Sequence, residues 1–428
     1  MGYRPNPCMM LPFGLLLVAI ALGPLLFGQW WSRNFGKTVF ALSAVTVGYY
    51  LLFLPSAAAL TVARSAHDYT GFIALVGSLY VVSGGVHISA NDGATPLTNV
   101  LFLLVGALLA NLLGTVGASL LLIRPWLLFN NRRFGCHHVV FFIFIISNVG
   151  GSLTAFGNPP LFLGCLMGVP LWWVMENCWP MWLCSVAFLL AVFYFVDRRS
   201  CRLAPALAPS VTLVPWRVEG LWNLLFLAII LPAVFISGPM FLREGLMFAA
   251  AIASYCTTSQ SVHKANHFDF HPILEVAVLF LGIFATMMPA LDWLQANARG
   301  LLGADPSPTL VYWVSGTLSS VLDNAPTYLS FLSALFGTQG QALGHPVEMA
   351  RILAHGGLKH SLAALSVAAV FFGGCSYIGN APNLMVKAIV ERRRLPLPGF
   401  LGYIFKWTMP IMLPLLVLVW LIFFWQDI

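Results

Sequence analysis

Two stretches decide the fold, because each places helix-breaking residues inside an apolar segment. Residues 150–160 read GGSLTAFGNPP, and residues 373–383 read GGCSYIGNAPN. Both contain a Gly-Gly pair followed by Gly-Asn and a proline, and they align with a slip of one residue. Glycine is conformationally permissive, whereas proline lacks an amide donor and clashes with the preceding helical turn. Each stretch therefore predicts a transmembrane helix that is broken into two halves, 138–167 and 361–390.

A second pair of stretches aligns without a gap. Residues 106–119 read GALLANLLGTVGAS and residues 316–329 read GTLSSVLDNAPTYL, so Gly114 falls opposite Asn324. We expect the two surrounding segments, 98–124 and 307–337, to be re-entrant helical hairpins that enter and leave by one membrane face. Irregular backbone is tolerated at that depth only where protein or a water-filled cavity covers it.

The composition is that of a membrane protein. Of the 428 residues, 59% are hydrophobic and 8% are charged, whereas soluble domains carry about 25% charged residues. Apolar stretches of about 20 residues, the length needed to cross a bilayer, recur along the chain. We therefore predict an all-α polytopic protein with about ten full spans. These are residues 11–30, 38–63, 70–90, 138–167, 171–196, 219–238, 243–259, 272–291, 361–390 and 400–425.

The basic residues set the orientation. They lie in short clusters between apolar spans, which favours the lipid bilayer over nucleic acid as the partner. If Arg33 and Lys37 face the cytoplasm, only six of the 21 Lys and Arg residues lie outside, as the positive-inside rule requires. These six are Arg4, Arg64, Arg243, Arg299, Arg351 and Lys359. Both termini then lie outside, and we expect the bacterial inner membrane.

This count requires both hairpins, since a single crossing at either one would invert everything that follows it. The chain then consists of two inverted-topology repeats, 1–200 and 201–428, each with one hairpin and one broken helix. Single glycines and prolines are common as ordinary kinks in membrane helices. Four breakers at matched positions in two halves instead favour a binding site near the membrane midplane.

No enzyme is expected. The sequence contains no Walker loop, GxSxG or HExxH motif, and its eight cysteines form no CxxC pair. We interpret the cysteines as packing residues and expect no metal apart from transported Na⁺. His137 and His138 lie beside Arg132 and Arg133, which indicates an anchored cytoplasmic surface, with pH sensing as the alternative.

Residues 320–327, SVLDNAPT, together with the Gly-Asn-x-Pro-Asn stretch, resemble the ion transporter superfamily. That group includes NhaD-type sodium/proton antiporters, arsenite permeases, divalent-anion/sodium symporters and a CitMHS-like citrate transport family. The resemblance implies an elevator-type transporter with cation or proton sites where each hairpin tip meets its own broken helix. Carried over by position, these sites comprise Gly114, Thr115, Gly157 and Asn158, and Asp323, Asn324, Gly379 and Asn380.

The two hairpin tips depart from one branch of this group. The dicarboxylate symporters carry Ser-Asn-Thr at both tips, whereas this chain has Leu-Gly-Thr at the first tip and Asp-Asn-Ala at the second, which argues against sodium-coupled dicarboxylate uptake.

Asp323 is the acidic residue that the topology places deep in an apolar segment, where a carboxylate marks an ion or proton path by default. The alternative role for Asp323 is a structural cap on the hairpin tip.

The leading hypothesis for the function of the protein is a Na⁺/H⁺ antiporter, and the alternative is a cation- or proton-coupled carrier of citrate or another carboxylate. A channel or a membrane scaffold is a third hypothesis, and the sequence leaves a homodimer as a candidate oligomeric state. Na⁺ and H⁺ are coupling ions, no other cofactor is expected, and the substrate-binding candidates are Ser119, Thr154, Ser319, Thr327 and Ser376.

Overall fold

The computed structural model describes residues 6–89, 94–203, 217–236, 241–341, 343–344, 346–354 and 358–425. Its helices are α1 Leu11–Leu26, α2 Gly28–Leu52, α3 Ala57–Gly84, α4 Pro96–Phe129, α5 Cys136–Ile145, α6 Pro159–Leu166, α7 Trp173–Leu203, α8 Asn223–Ala233, α9 Leu242–Thr257, α10 Gln260–Ala265, α11 His271–Leu302, α12 Pro308–Val321, α13 Asn324–Thr338, α14 Pro346–Ala354, α15 Lys359–Phe371, α16 Ala381–Arg392, α17 Phe400–Tyr403 and α18 Leu413–Phe423. A π-helical stretch, Ile404–Met412, joins α17 to α18. Short 3₁₀ turns are Pro7–Met10, Asn131–Arg133, Val149–Ser152 and Phe372–Cys375. Strands β1 His87–Ser89 and β2 Arg217–Glu219 pair antiparallel, with Ile88 opposite Val218.

By length and composition alone, five helices of the described ranges could cross a membrane, and a bent pair bounded by Pro346–Ala354 and Lys359–Cys375 makes a sixth if it is one span. The five are Arg33–Leu52, Pro96–Phe129, Trp173–Arg202, His271–Leu302 and Phe400–Phe423. A predominantly helical membrane protein is confirmed at this level. The predicted span 38–63 is wrong, because the chain turns at residues 53–56 between α2 and α3. Pro55 lies in this turn, where its missing amide donor leaves no helical hydrogen bond unmade.

Helix α4 folds back on itself at Gly114, whose φ of 71° and ψ of 156° interrupt the helix. The Nδ2 atom of Asn99 lies 2.8 Å from the Oδ1 atom of Asn130, although a straight helix would separate these residues by roughly 46 Å. The rings of Phe102 and Trp126 lie 5.1 Å apart. The two arms of α4 therefore lie side by side, with both ends together and Gly114 at the tip.

Helices α12 and α13 form a second hairpin. Two residues separate them, and the Nε2 atom of Gln339 lies 3.4 Å from the carbonyl oxygen of Ala304, just beyond the two open ends. At the tip, Asp323 caps α13 by accepting a hydrogen bond from the Ala325 amide at 3.0 Å. A short acidic side chain in this position satisfies one of the orphan donors of the helix N-terminus.

Two helices are broken in the same way. Helix α5 leads through the 3₁₀ turn Val149–Ser152 to α6, and α15 leads through Phe372–Cys375 to α16. Asn158 and Asn380 are the N-caps of the second halves, both in an extended conformation and both followed by proline in the first turn. The first halves are buried on nearly all faces, as expected for helices that are apolar all round. The breaks therefore lie in the interior of the protein.

The order of these elements recurs along the chain. Three helices, α1 to α3, precede the first hairpin, the first broken helix and the long helix α7. Three further helices, α8, α9 and α11, precede the second hairpin, the second broken helix and the long helix that ends in α18. The short helices α10 and α14 are additions to this order. Each half thus supplies one hairpin tip and one break.

Gly114→Ala is expected to destabilise the first hairpin. The backbone conformation at this tip is essentially restricted to glycine, and an added Cβ would lie 3.3 Å from the Phe156 carbonyl oxygen. The free energy of unfolding should fall by about 1–3 kcal/mol. The matched control is Gly48→Ala in α2, where nothing lies within 4 Å of an added Cβ and alanine is the better helix former. Thermal unfolding of both purified variants tests this, and equal melting temperatures would contradict it.

Candidate binding site at the helix breaks

The tip of the first hairpin is bound to the first break. The Thr115 amide donates to the Gly157 carbonyl oxygen at 2.8 Å. Asn111, in the first arm of α4, donates from Nδ2 to the Gly150 carbonyl at 2.7 Å and accepts from the Leu153 amide at 3.0 Å. One asparagine side chain thus satisfies a carbonyl and an amide that the break leaves without helical partners.

The tip of the second hairpin is bound to the second break. Ser319 donates to the Ala369 carbonyl at 2.6 Å, and Ser376 donates to the Ser320 carbonyl at 2.7 Å. An added Cβ on Gly379 would lie 2.7 Å from the Ser319 carbonyl oxygen. Glycine is therefore required here for the close approach of two backbones.

Buried asparagines connect the two halves of the chain. Asn324, after the second tip, donates from Nδ2 to Oδ1 of Asn158 at the first break, at 3.1 Å. Asn380, at the second break, donates to Oδ1 of Asn148 at 3.0 Å, and Asn148 donates to Oδ1 of Asn383 at 2.8 Å. All five side chains are at most 1% exposed. Asn324 and Asn158 thus form one bonded pair, and Asn380, Asn148 and Asn383 form a second bonded group. We call these five side chains together the asparagine network.

The predicted pairing of each tip with its own break is therefore only part of the arrangement. Thr115 and Gly157 meet in the first half, and Gly379 lies against the second hairpin. Asn324, however, reaches Asn158 in the other half, and Asn380 also donates to the carbonyl of Ser147, at 2.9 Å. The sequence-predicted residues form one central cluster of contacts in addition to two local ones.

Three buried polar atoms of this cluster make no hydrogen bond within the described part of the chain: Thr115 Oγ1, Asn158 Nδ2 and Asn324 Oδ1. Thr115 and Asn158 line a small cavity of about 20 Å³, together with Gly114 and Phe156; we call it the tip cavity. Oxygen atoms are the ligands that hard cations prefer, whereas an amide N–H is suited to a carboxylate oxygen. The local chemistry thus accommodates either kind of ligand.

Asp323 lies beside this cluster and is 5% exposed. Its Oδ1 atom accepts from the Ala325 amide, and its main-chain carbonyl accepts from the Thr327 hydroxyl at 3.0 Å. No positively charged side chain of the described residues contacts this carboxyl group. A buried carboxylate without a counter-charge is costly unless it takes up a proton or a cation. The capping contact is confirmed, and the ion-binding role remains a prediction.

The five predicted substrate-binding hydroxyls are engaged within the protein. Ser319, Ser376 and Thr327 donate to main-chain carbonyls, as described above, and Thr154 donates to the Asn111 carbonyl at 2.6 Å. The Ser119 hydroxyl lies 2.8 Å from the Ser147 hydroxyl. These hydroxyl groups therefore stabilise the tips and the breaks, and four of them present only oxygen lone pairs to a ligand.

Three asparagines of the site were not predicted from the sequence: Asn111, Asn148 and Asn383. Each lies in an apolar run within a few residues of a break or tip. A buried amide in such a run is costly unless it is hydrogen-bonded. Their positions could have identified them as site residues, because a nearby helix break supplies the main-chain partners that a buried amide needs.

A buried ion cluster fixes the open end of the first hairpin. Asp197 of α7 is fully buried, and Arg133 donates to its two oxygens at 2.6 and 3.0 Å. His137 and His138 approach Asp197 Oδ1 to 3.1 and 3.3 Å, and Asn99 donates to Oδ2 at 3.0 Å. The predicted histidine surface is thus wrong, because α7 carries an acidic partner that covers both rings.

These features define a class, the integral membrane transport proteins: apolar helices long enough to span are interrupted by breaks and tips that gather polar groups in the interior. Within that class, the chain belongs to the family described as "Putative citrate transport", whose model matches residues 4–424. The predicted membership of a CitMHS-like family is confirmed. No curated protein matches the chain. The family description supports a transport function.

Asp197→Asn is expected to destabilise the protein strongly. The change leaves the Arg133 guanidinium, whose side chain is 12% exposed, without a counter-charge, and breaking one side of a buried ion pair costs about 3–5 kcal/mol. The matched control is Glu391→Gln, which removes a half-exposed ion pair with Lys387 that contributes at most about 1 kcal/mol. Thermal unfolding of the purified variants measures both. A melting temperature of the Asp197 variant no lower than that of the control would refute the assignment.

Proposed function

We propose that this chain is a secondary active transporter that carries citrate or a related carboxylate, coupled to a proton or a cation held at Asp323. The observation that carries the proposal is a buried carboxyl group with no positively charged partner among the described residues, at the tip of a hairpin that is bonded to both halves of the chain. The family description, putative citrate transport, supports a carboxylate as the cargo. Intramembrane carboxyl groups of this kind mark ion or proton pathways by default.

The mechanism that we propose is an elevator built from two inverted repeats, 1–200 and 201–428. The recurring order of elements supports the repeat, and the adjacent ends of each hairpin support a re-entrant segment in a fold of about ten spans. The asparagine network bonds the second tip and both breaks together, so these elements move as one body during alternating access. The topology is that of an inner-membrane protein with both termini outside.

Na⁺/H⁺ antiport without an organic cargo is the second candidate. One feature favours it: the tips have Leu-Gly-Thr and Asp-Asn-Ala in place of the Ser-Asn-Thr of the dicarboxylate symporters. In this reading Asp323 alternates between a proton and Na⁺, because a cation near the carboxylate favours its charged form and excludes the proton. The oxygen atoms of Thr115 and Asn324 that make no hydrogen bond in the described chain are suitable cation ligands.

A substrate panel separates the two candidates. Purified protein is reconstituted in liposomes with a lumenal pH dye, and Na⁺, Li⁺, K⁺ or citrate is added separately. Uptake of labelled citrate that depends on an imposed proton or cation gradient supports the carboxylate carrier. Proton movement driven by Na⁺ without citrate supports the antiporter. Neither flux, with the protein correctly folded and oriented, would remove both functions.

Asp323→Asn is expected to abolish coupled flux while the protein still folds. The amide keeps the size of the side chain and its acceptor for the Ala325 amide, but it cannot exchange a proton. If Asp323 only caps α13, the change should cost about 1 kcal/mol of stability and leave transport in place. Melting temperature and flux are measured on the same preparation. A folded Asn variant with wild-type coupling would eliminate Asp323 from the mechanism.

The re-entrant hairpin predicts that Leu97 and Leu128 face the same side of the membrane. Both side chains are exposed, at 62% and 40%, near the two ends of α4. Single cysteines at these positions should react with a membrane-impermeant maleimide from one side only. Phe53→Cys, in the exposed turn between α2 and α3, should react from the opposite side. Labelling of the two ends from opposite sides would refute the hairpin and the inverted repeat.

A further inference from the structure

A second cavity, of about 100 Å³, opens near the open end of the first hairpin, and we call it the basic cleft. Its walls come from four parts of the fold: the end of α3, the second arm of α4, the connection leading into α11, and the last turn of α16. Tyr80, Leu121, Arg124, Asp269, His271 and Arg392 are among the lining residues. The cleft therefore lies between the hairpin and break region on one side and helices α3 and α11 on the other.

The basic cleft and the tip cavity are consecutive along the same two helices. Leu75 and Leu79 of α3 and Gly114 to Gly117 of α4 line the tip cavity. About one or two turns further along, the cleft is lined by Tyr80, Ser83 and Gly84 of α3 and by Leu120, Leu121 and Arg124 of α4. At 1.5 Å per residue, the two cavities are roughly 6–12 Å apart. A ligand that enters the cleft is therefore close to the first hairpin tip.

The charge of the cleft is predominantly positive. Arg124 and Arg392 come from different elements, and within the described chain neither makes an ion pair or a hydrogen bond. Asp269 faces the same cavity, and its Oδ1 atom accepts from the His271 amide at 3.1 Å. A cleft with walls of low polarity and an excess of one sign of charge concentrates ligands of the opposite sign. Guanidinium groups are also the side chains best suited to paired carboxylate oxygens.

We propose that the basic cleft is a carboxylate-binding vestibule, in which Arg124 and Arg392 capture a multivalent carboxylate before it reaches the tip cavity. The inference rests on the proposed carboxylate cargo and adds a second, outer binding site for it. Because the two arginines lie on elements bonded to the tips and breaks, the captured anion stays next to the part of the protein that moves. The vestibule therefore has a role only in the carboxylate carrier and none in Na⁺/H⁺ antiport without an organic cargo.

The test measures the electrostatic potential and the occupancy of the cleft without relying on transport. Leu121→Cys places a thiol in the cleft, and its modification by methanethiosulfonate reagents of opposite charge is followed at residue 121 by mass spectrometry, so that native cysteines do not contribute. In nanodiscs of zwitterionic lipid, the cleft should favour modification by the anionic reagent over the cationic one, relative to their rates with a free thiol. Arg124→Gln or Arg392→Gln should lower this anionic-to-cationic rate ratio by about threefold or more. The matched control is Arg199→Gln, an exposed residue of α7, which should leave the ratio unchanged.

Occupancy is measured by protection. Citrate should slow modification of the thiol in the parent variant, and Arg124→Gln or Arg392→Gln should shift the protecting concentration upward by roughly tenfold, as expected for loss of a charge-assisted hydrogen bond. The same arginine variants should raise the KM for citrate transport with little change in kcat. The exposed Arg392 variant keeps the test decisive if the Arg124 variant fails to fold.

Several outcomes overturn the proposal. An unchanged charge ratio in both arginine variants removes the electrostatic argument, and no protection by citrate removes the binding site. Protection only in nanodiscs that contain anionic lipid assigns the cleft to a lipid headgroup instead. If citrate protects residue 121 but is not transported, the vestibule is supported and the carboxylate-carrier function fails. If citrate is transported with an unchanged KM in folded arginine variants, that function survives and the vestibule fails.

Discussion

A helix that breaks inside an apolar interior leaves main-chain N–H and C=O groups without partners, and the rest of this structure depends on satisfying them. Each such group costs several kcal/mol where no water reaches it. This chain satisfies them with asparagine side chains, which carry both donors and acceptors. Asn111 pairs with an amide and a carbonyl of the first break, and Asn383 donates to the carbonyls of Gly373 and Ser376 in the second. The breaks thus dictate where the buried amides lie.

Satisfying the breaks also connects them. Asn148 accepts from Asn380 and donates to Asn383, and Asn324 donates to Asn158 across the two halves. A displacement of one break relative to the other would leave several buried amides unpaired at once, which a low-dielectric interior penalises heavily. The tips and breaks therefore form a rigid unit. Under the proposed elevator, conformational change takes place where this unit meets α3 and α11 rather than inside it.

The tips and breaks could be predicted from the sequence because glycine and proline determine them locally. Gly114 marks the first tip, and the Gly-Asn-Pro clusters mark both breaks, because these residues act on their own backbone. Side-chain partners that are distant in the chain could not be predicted in this way. The Asn324–Asn158 pair joins residues 166 positions apart, and the Asp197 cluster collects side chains from α4, α5 and α7. The span 38–63 failed for another reason: apolar residues on both sides of Pro55 hide the turn in any average over a bilayer-length window.

Under the proposed carboxylate transport, the opposite charges of the basic cleft and of the second hairpin tip bear on coupling. Two like charges about 6 Å apart repel by about 3 kcal/mol at an effective dielectric constant of 20. A carboxylate cargo that reaches the tips while Asp323 is ionised meets that repulsion, whereas a proton or a cation at Asp323 removes it. Under that proposal, the loaded state is favoured only when cargo and coupling ion are both present. The positive cleft outside and the acidic group inside would then make cargo movement dependent on the ion through electrostatics alone, with no separate gate between the two ligands.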